Sequence, residues 1–298
     1  MQGIDPISLG ATLFVPATHK ALEAIATHKK YPQLKSLLID TEDGLQGSAL
    51  QDGLRKIAIL LSNLRKSSLY IFIRPKNPTI LAELLEMQGI ENITGFILPK
   101  FSLCNADVYL ELLRKREFFF MPSIEGEELF HHQKLCELKN MLLEHKEQIP
   151  LVRFGLEDML RSLGLRRSCE MSVFDLSAPS TVLGNFIATF KSSGFMVSGG
   201  VYPCFKDADG FVKDVKRDLQ EGLFSKTIIH PNQIALAHEC YKVTKEELEE
   251  AELIIASTQA SFALSGKMAE PTTMREHSYV IVKRAQIYGL RKSSKYEQ

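Results

Sequence analysis

The sequence predicts an α/β chain closed into a (β/α)8 barrel. Three observations lead there. Short apolar runs recur along the chain, long enough for buried strands and too short for helices. Each run ends in polar or charged residues and is followed by a stretch with helical spacing. Eight such units fit into roughly 230 residues, and strands alternating with helices imply a parallel sheet. An open doubly wound sheet is the alternative, but no Gly-x-Gly-x-x-Gly follows the first strand.

The first strand is Thr12-Leu13-Phe14-Val15-Pro16, stopped by a proline that cannot extend a ladder. Thr18 is placed to cap a helix over about residues 19–29. The second strand begins at Ser36 and runs through Leu37-Leu38-Ile39 into Asp40, Glu42 and Asp43, then Gly44. Three unpaired acids so close together are costly to bury and cheap in a turn. A helix over 47–65 carries Leu50, Leu54, Ile57, Leu61 and Leu64 on one face. Strand 69–73 delivers Arg74, and a short helix over 79–87 closes at Gly89. Strand 95–98 delivers Pro99-Lys100 ahead of a helix over 106–115. Strand 118–124, opening on three phenylalanines as a strand buried on both faces would, delivers Glu125. A helix is expected over 127–145, with His131, His132 and Cys136 on its surface.

Strand 151–154 leads through Gly155 into a short helix over 157–163 that carries Asp158. Residues 164–176 read as irregular, with Arg166-Arg167 exposed, before a helix over 181–191. Strand 195–197 delivers Ser198-Gly199-Gly200, and a loop leads to a helix over 211–221. Strand 227–229 delivers His230-Pro231 and a helix over 232–241. Two further helices, 245–259 and 274–288, have no strand between them, the linker 265–271 reads as a hinge, and 291–298 look frayed. The expected division is therefore a barrel over 8–243 and a helical arm or lid over 244–298.

Bulk properties narrow the function. The 298 residues carry 36 basic and 36 acidic side chains, so no net field draws the chain to nucleic acid or an anionic membrane. The five cysteines are scattered, which argues against a disulfide framework and against a zinc knuckle. No apolar run approaches the roughly 20 residues of a membrane span, and the N-terminus lacks signal-peptide character. A soluble cytoplasmic protein is expected.

Strand ends that point the same way carry the chemistry of such barrels. Here they hold Asp40, Glu42, Asp43, Arg74, Lys100, Glu125, Asp158 and His230. Two separated carboxylates from adjacent strands, Glu125 and Asp158, suit Mg²⁺, which leaves positions for water and substrate oxygens. Arg74 offers a planar fork to a carboxylate. A metal beside a bound 2-oxo acid stabilises a developing enolate, so carbon–carbon bond cleavage or formation is the reaction class. Each residue also has a plainer reading. Asp43 and Asp158 can be first-turn helix acids, Arg74 a structural bridge, Glu125 the start of a solvated run, and His230 a hydrogen-bonded loop residue.

Several of these motifs, in this order, resemble the citrate lyase β-subunit-like branch of the HpcH/HpaI aldolase superfamily. They are Phe14-Val15-Pro16, Ile39-Asp40-Thr41-Glu42-Asp43-Gly44, Arg74, Leu98-Pro99-Lys100, Glu125 and Gly155-Leu156-Glu157-Asp158. The segment from Lys226 through His230-Pro231-Asn232-Gln233 to Ile234 is similar to the family's Gly-Lys-x-x-Ile-His-Pro-x-Gln-Ile, and Gly266-Lys267-Met268 to its lid. The resemblance spans about residues 11–290. It implies a TIM-barrel lyase that uses Mg²⁺, or Mn²⁺ in its place, on a hydroxy or oxo acid carried by coenzyme A or an acyl carrier protein. It also implies Glu125 and Asp158 as metal ligands and Arg74 as the catalytic carboxylate clamp. The lid acid, supplied by a neighbouring subunit, falls on Glu270, and the assembly implied is a homo-oligomer, a trimer by preference. Arg74-Pro75-Lys76-Asn77 stands where the family usually reads Arg-Val-Asn, and Glu125-Gly126-Glu127-Glu128 where it reads Glu-Thr-x-x-Gly. Those departures, with Glu270 in place of an aspartate, mark a divergent branch.

The expectation is a metal-dependent lyase in which Arg74, Glu42, Asp43 and Glu270 are catalytic. Arg74, Lys100 and His230 would contact substrate. A malate synthase-like condensing enzyme, and a non-catalytic barrel that binds a carboxylate metabolite or carrier protein, are the alternatives.

Overall fold

A computed structural model describes residues 3–114 and 116–291, which divide into two compact units, Met1–Ile234 and Ala235–Gln298. In the first unit β1 (Thr12–Pro16), β2 (Ser36–Asp40), β3 (Tyr70–Arg74), β4 (Gly95–Leu98), β5 (Phe119–Ile124), β6 (Arg153–Phe154) and β7 (Thr227–Ile228) form one sheet. The strands pair in parallel in the order β6-β5-β4-β3-β2-β1-β7. Residues 197–201 take the place of the strand expected at 195–197. Bridges Val152–Val197, Ser198–Phe224 and Val201–Thr227 carry the pairing from β6 round to β7. Gly199-Gly200 lies within this stretch, and paired glycines weaken a regular strand. The fold class is the one expected.

Alternation along each strand decides what faces the barrel interior. Leu38, Phe72, Ile97, Met121 and Leu151 pack there as one cluster with Phe14 against it. Two residues further on, on the same strand face, come Asp40, Arg74, Pro99, Ser123 and Arg153. The greasy plug thus sets a polar layer directly above itself.

The helices of this unit are α1 (Leu22–Ala26), α2 (Ser48–Asn63), α3 (Pro78–Leu85), α4 (Ala106–Leu113), α5 (His132–Leu143), α6 (Leu156–Ser162), α7 (Ser177–Lys191) and α8 (Ala208–Gln220). Several differ from expectation. Thr18 does not cap α1, which ends early where His28 and Tyr31 turn left-handed at φ near 60° (60° and 59°). The helix expected over 127–145 breaks into a 3₁₀ turn, Glu127–Phe130, and α5, because His131 is extended. That break lets Glu128 turn inward, where its Oε1 accepts from the Leu103 amide at 3.0 Å. His131 and His132 therefore stand at the start of α5, not in mid-helix. Arg167, expected in solvent, is buried and ion-paired with Asp214.

The cysteine expectation also fails at one pair, since Cys169 and Cys204 are bonded to each other. They are 35 residues apart in two different loops, a pairing that local spacing does not reveal. Cys104, Cys136 and Cys240 are not disulfide-bonded. No helix among the described residues is long and apolar enough to cross a membrane.

Helix α9 (Asn232–Tyr241) runs from the first unit into the second, which adds α10 (Lys245–Ala256), a hairpin of β8 (Phe262–Leu264) and β9 (Lys267–Ala269), and α11 (Pro271–Tyr288). Val243, Ala251 and Ile281 form its small core. Arg284 caps the end of α9 by donating to the carbonyls of Tyr241 (2.9 Å) and Cys240 (3.3 Å). The expected hinge at 265–271 is instead a tight turn. Ser265 and Gly266 (φ 51° and 76°) are the two left-handed residues such a hairpin needs, and β9 follows at once. Residues 292–298 of the tail read as frayed lie outside the described residues.

Candidate active site

The layer above the barrel plug is an ion network. Asp40 closes β2, and Arg74 closes β3 directly opposite in register. Arg74 grips Asp40 with both edges of its fork, Nε to Oδ1 at 2.7 Å and Nη2 to Oδ2 at 2.8 Å. Its Nη1 lies 2.6 Å from Glu42 Oε2. The Thr41 amide and hydroxyl both donate to the Arg74 carbonyl, at 3.1 and 2.8 Å, pinning the turn to β3. Lys100, held left-handed at φ 48° with its carbonyl accepting from Asn105 at 2.9 Å, reaches Asp43 at 2.8 Å and Glu42 at 3.1 Å. Of the acids expected in an exposed turn, Asp43 is exposed, Asp40 is half-buried and Glu42 is only 3% exposed. Two cations make that burial affordable.

Proton affinities follow from the arrangement. Burial pushes the Glu42 carboxyl up, against the pull of Arg74 and Lys100. Asp43, more open, is held down by its hydrogen bond from Lys100. Burial works against the charge on Arg74, but Asp40, Glu42 and Glu125 more than offset it and keep the guanidinium charged. Glu125, 6% exposed, is raised to about 7, first by burial and then by the charges of Glu42 and Asp158, although the Ser123 hydroxyl opposes the shift.

Glu125 follows β5, and Asp158 sits in the first turn of α6, where Arg161 pairs with it at 2.6 Å. Gly155 makes room for Glu125, because a Cβ there would stand 2.9 Å from Glu125 Cδ. Among the described residues no group of three or more His, Cys, Asp or Glu gathers as a metal cage. Two mutually repelling carboxylates, one with its proton affinity strongly raised, fit a hard divalent ion that keeps water or substrate oxygens in its other positions.

His230 belongs to a different cluster. Its Nδ1 lies 2.7 Å from Asn232 Oδ1, and its ring is parallel to Phe205 with centroids 4.8 Å apart. None of its contacts among the described residues reaches the Arg74 network. Glu270 lies in the second unit at the N-terminus of α11.

Two residues escaped the sequence reading. Arg153 is buried in the polar layer, with its guanidinium 5.5 Å from the Phe14 ring that Arg74 also faces at 5.3 Å, and it donates to Thr227. The signal was its place two residues beyond Leu151. Tyr109 of α4 is buried, and burial with the charges of Glu42 and Glu125 raises its hydroxyl's proton affinity. Nothing in a helical tyrosine announced that.

A family model described as C–C bond lyase of the TIM-barrel fold matches residues 3–290. The chain is 24% identical over 303 residues to the mitochondrial citramalyl-CoA lyase of Rattus norvegicus, covering 91% of this chain and 84% of that protein. It is 26% identical over 152 residues to the citrate lyase subunit beta of Escherichia coli K12, covering 49% of this chain and 48% of that protein. The match thus spans about half the length of that relative. Among solved structures, CitE of Mycobacterium tuberculosis in complex with magnesium, acetoacetate and coenzyme A superposes with a TM-score of 0.70 at 19% identity, over 94% of this chain and 99% of that one. A citrate lyase of Burkholderia xenovorans LB400 superposes with a TM-score of 0.74 at 16% identity, over 98% and 96%. These superpositions establish the fold.

Proposed function

The chain belongs to the C–C bond lyases of the TIM-barrel fold, and on that footing we propose a Mg²⁺-dependent lyase that cleaves a 3-hydroxy acid thioester, carried by coenzyme A or an acyl carrier protein, into a 2-oxo acid and a thioester enolate. The observation that carries this reading is Glu125. Its carboxyl is buried, and the charges of a second acid, Asp158, and of the Arg74 guanidinium both act on it. The relatives' names support it. One is a citramalyl-CoA lyase, and one related structure was obtained with magnesium, acetoacetate and coenzyme A.

Glu125 and Asp158 would hold the ion, which supplies positive charge to the oxygen that becomes the new carbonyl. Arg74 binds and orients. Three of its five N–H groups go to Asp40 and Glu42, leaving two for a substrate carboxylate. Because Asp40 fixes the fork before substrate arrives, little entropy is lost on binding. Glu42, buried and with raised proton affinity, is the group here best suited to hold a proton between turnovers. Lys100 keeps Asp43 and Glu42 in place. The same reading keeps His230 as a substrate contact. It also keeps Glu270 as an acid supplied within a homo-oligomer.

Titration of Mg²⁺ into wild type and Glu125→Gln, with 2-oxo acid release from citramalyl-CoA and malyl-CoA followed in parallel, tests the proposal. We expect metal binding and release in wild type and the loss of both in the variant. Equal Mg²⁺ affinity in the two proteins removes Glu125 from the ligand set. Metal binding without cleavage of any thioester leaves a carboxylate-binding barrel.

A further inference from the structure

Two loops beside the strand ends are joined covalently, and the chemistry above uses neither. The first follows α6. Residues 164–171 have no helix or strand and are exposed, apart from Arg167. The second, 199–207, leads into α8. Cys169 of the first is bonded to Cys204 of the second, with Cα atoms 6.1 Å apart. Cys169 is itself exposed, so a small thiol can reach the bond. Exposed disulfides are the labile, exchangeable kind, whereas buried ones are structural.

One residue separates the bond from His230. Phe205, next to Cys204, lies parallel to the His230 ring (16° between planes), and its carbonyl accepts from Asn232 Nδ2 at 2.7 Å. Asn232 in turn meets His230 Nδ1 at 2.7 Å. The disulfide, Phe205, Asn232 and His230 form one continuous clamp. Non-covalent ties hold the roots of both loops instead. Arg167 Nη1 donates to the Val201 carbonyl at 3.3 Å and pairs with Asp214. The Tyr202 hydroxyl is 3.0 Å from the Cys169 carbonyl and 2.6 Å from Asp207 Oδ2. Opening the bond therefore removes the covalent tie between the tips, 168–171 and 204–206, and leaves them held by hydrogen bonds alone while the loops stay rooted.

We propose that Cys169–Cys204 is a redox-modification site for a dithiol reductant, and that its state sets whether Phe205 clamps His230. In the reaction the dithiol gives up two electrons and two protons. The Cys169–Cys204 bond breaks, two thiols form, and the reductant closes to its own disulfide. The clamp is a property of the loops alone. Its effect on turnover rests on the lyase reading and on His230 facing substrate.

The test compares the full chain oxidised, reduced with dithiothreitol, and as the Cys169→Ser/Cys204→Ser double variant. Denatured oxidised protein should titrate three thiols, those of Cys104, Cys136 and Cys240, and reduced protein all five. On reduction, amide exchange in 168–171 and 204–206 should rise about tenfold or more, as expected when a loop opens locally. The His230 ring resonance, assigned with His230→Gln, should shift. The double variant should match reduced wild type, and if it does not fold, the wild-type pair decides alone. Where thioester cleavage is measurable, KM should change several-fold on reduction while kcat stays within about twofold, since a binding contact and not the reacting groups is altered. Five thiols before reduction, or identical exchange and His230 resonance in the two states, would overturn the switch. Absence of cleavage in both states counts against the lyase reading only, because exchange and the resonance still report the clamp.

Discussion

From β1 to β5 the barrel wall is made of strands four to six residues long, in continuous register and packed on an apolar plug. From β6 round to β7 the strands shrink to two residues and isolated bridges, and polar groups take over the joining. Lys226, 2% exposed, lies between Asp214 and Asp218 of α8, at 2.7 Å from the latter, and Asp214 also pairs with Arg167. Burial pushes the Asp218 carboxyl up while Lys226 pulls it back. The disulfide closes the loops above. The first half is specified by greasy volume, which forgives small errors of shape. The second is specified by charge pairing, which does not forgive a missing partner.

The largest expected effect tests that contrast directly. Lys226→Met should cost about 3–5 kcal/mol in a urea melt, because it strands the buried Asp218 carboxylate and leaves Asp214 with Arg167 alone. The double change Lys226→Met/Asp218→Leu, which keeps the Arg167–Asp214 pair, should recover most of that loss. If Lys226→Met proves mild, the second half is not held by its charges and the comparison breaks. Leu38→Ala, in the plug of the first half, should cost about 3 kcal/mol, with no partner change able to rescue it.

Glu125 stands at the seam between the halves. Its folded pKa, about 7, lies above the ordinary 4.5, so between those values the folded state binds more protons than the unfolded one. Stability should therefore be fullest below pH 4.5 on this group's account and fall as pH rises through 7, by roughly 3 kcal/mol in metal-free protein. Glu125→Gln should flatten that slope, as should saturating Mg²⁺. Melts across this pH range with chelator would show it, and a slope unchanged in the variant would assign the effect elsewhere. The smallest effect sharpens the first half. Asn77 caps α3 by accepting from the Ile80 amide at 3.0 Å, so Asn77→Ala should cost about 1 kcal/mol and leave Mg²⁺ binding untouched.

Legibility in the sequence divides along the same seam. The polar residues that end β2, β3 and β5 were identifiable because alternation and short apolar runs are local signals. The seventh wall position reads as a strand in the sequence, yet it is formed by isolated bridges around Gly199-Gly200. By sequence Arg167 reads as solvated, because an arginine in a polar loop carries no mark of the aspartate 47 residues away that buries it. By its position after a strand His230 groups with the acids, whereas its ring stacks on Phe205.

By itself the sequence determined the alternation of strand and helix, the parallel closed wall, and which residue types stand at the strand ends. These depend on patterns repeating every two or four residues, which the backbone geometry imposes locally. Only the tertiary structure decided that Asp40 and Glu42 share Arg74, that burial raises the proton affinity of Glu125, and that Cys169 meets Cys204. Partner choice joins residues far apart in the chain, and proton affinity depends on the charges and burial around a group. Neither is a property of a residue's neighbours in sequence.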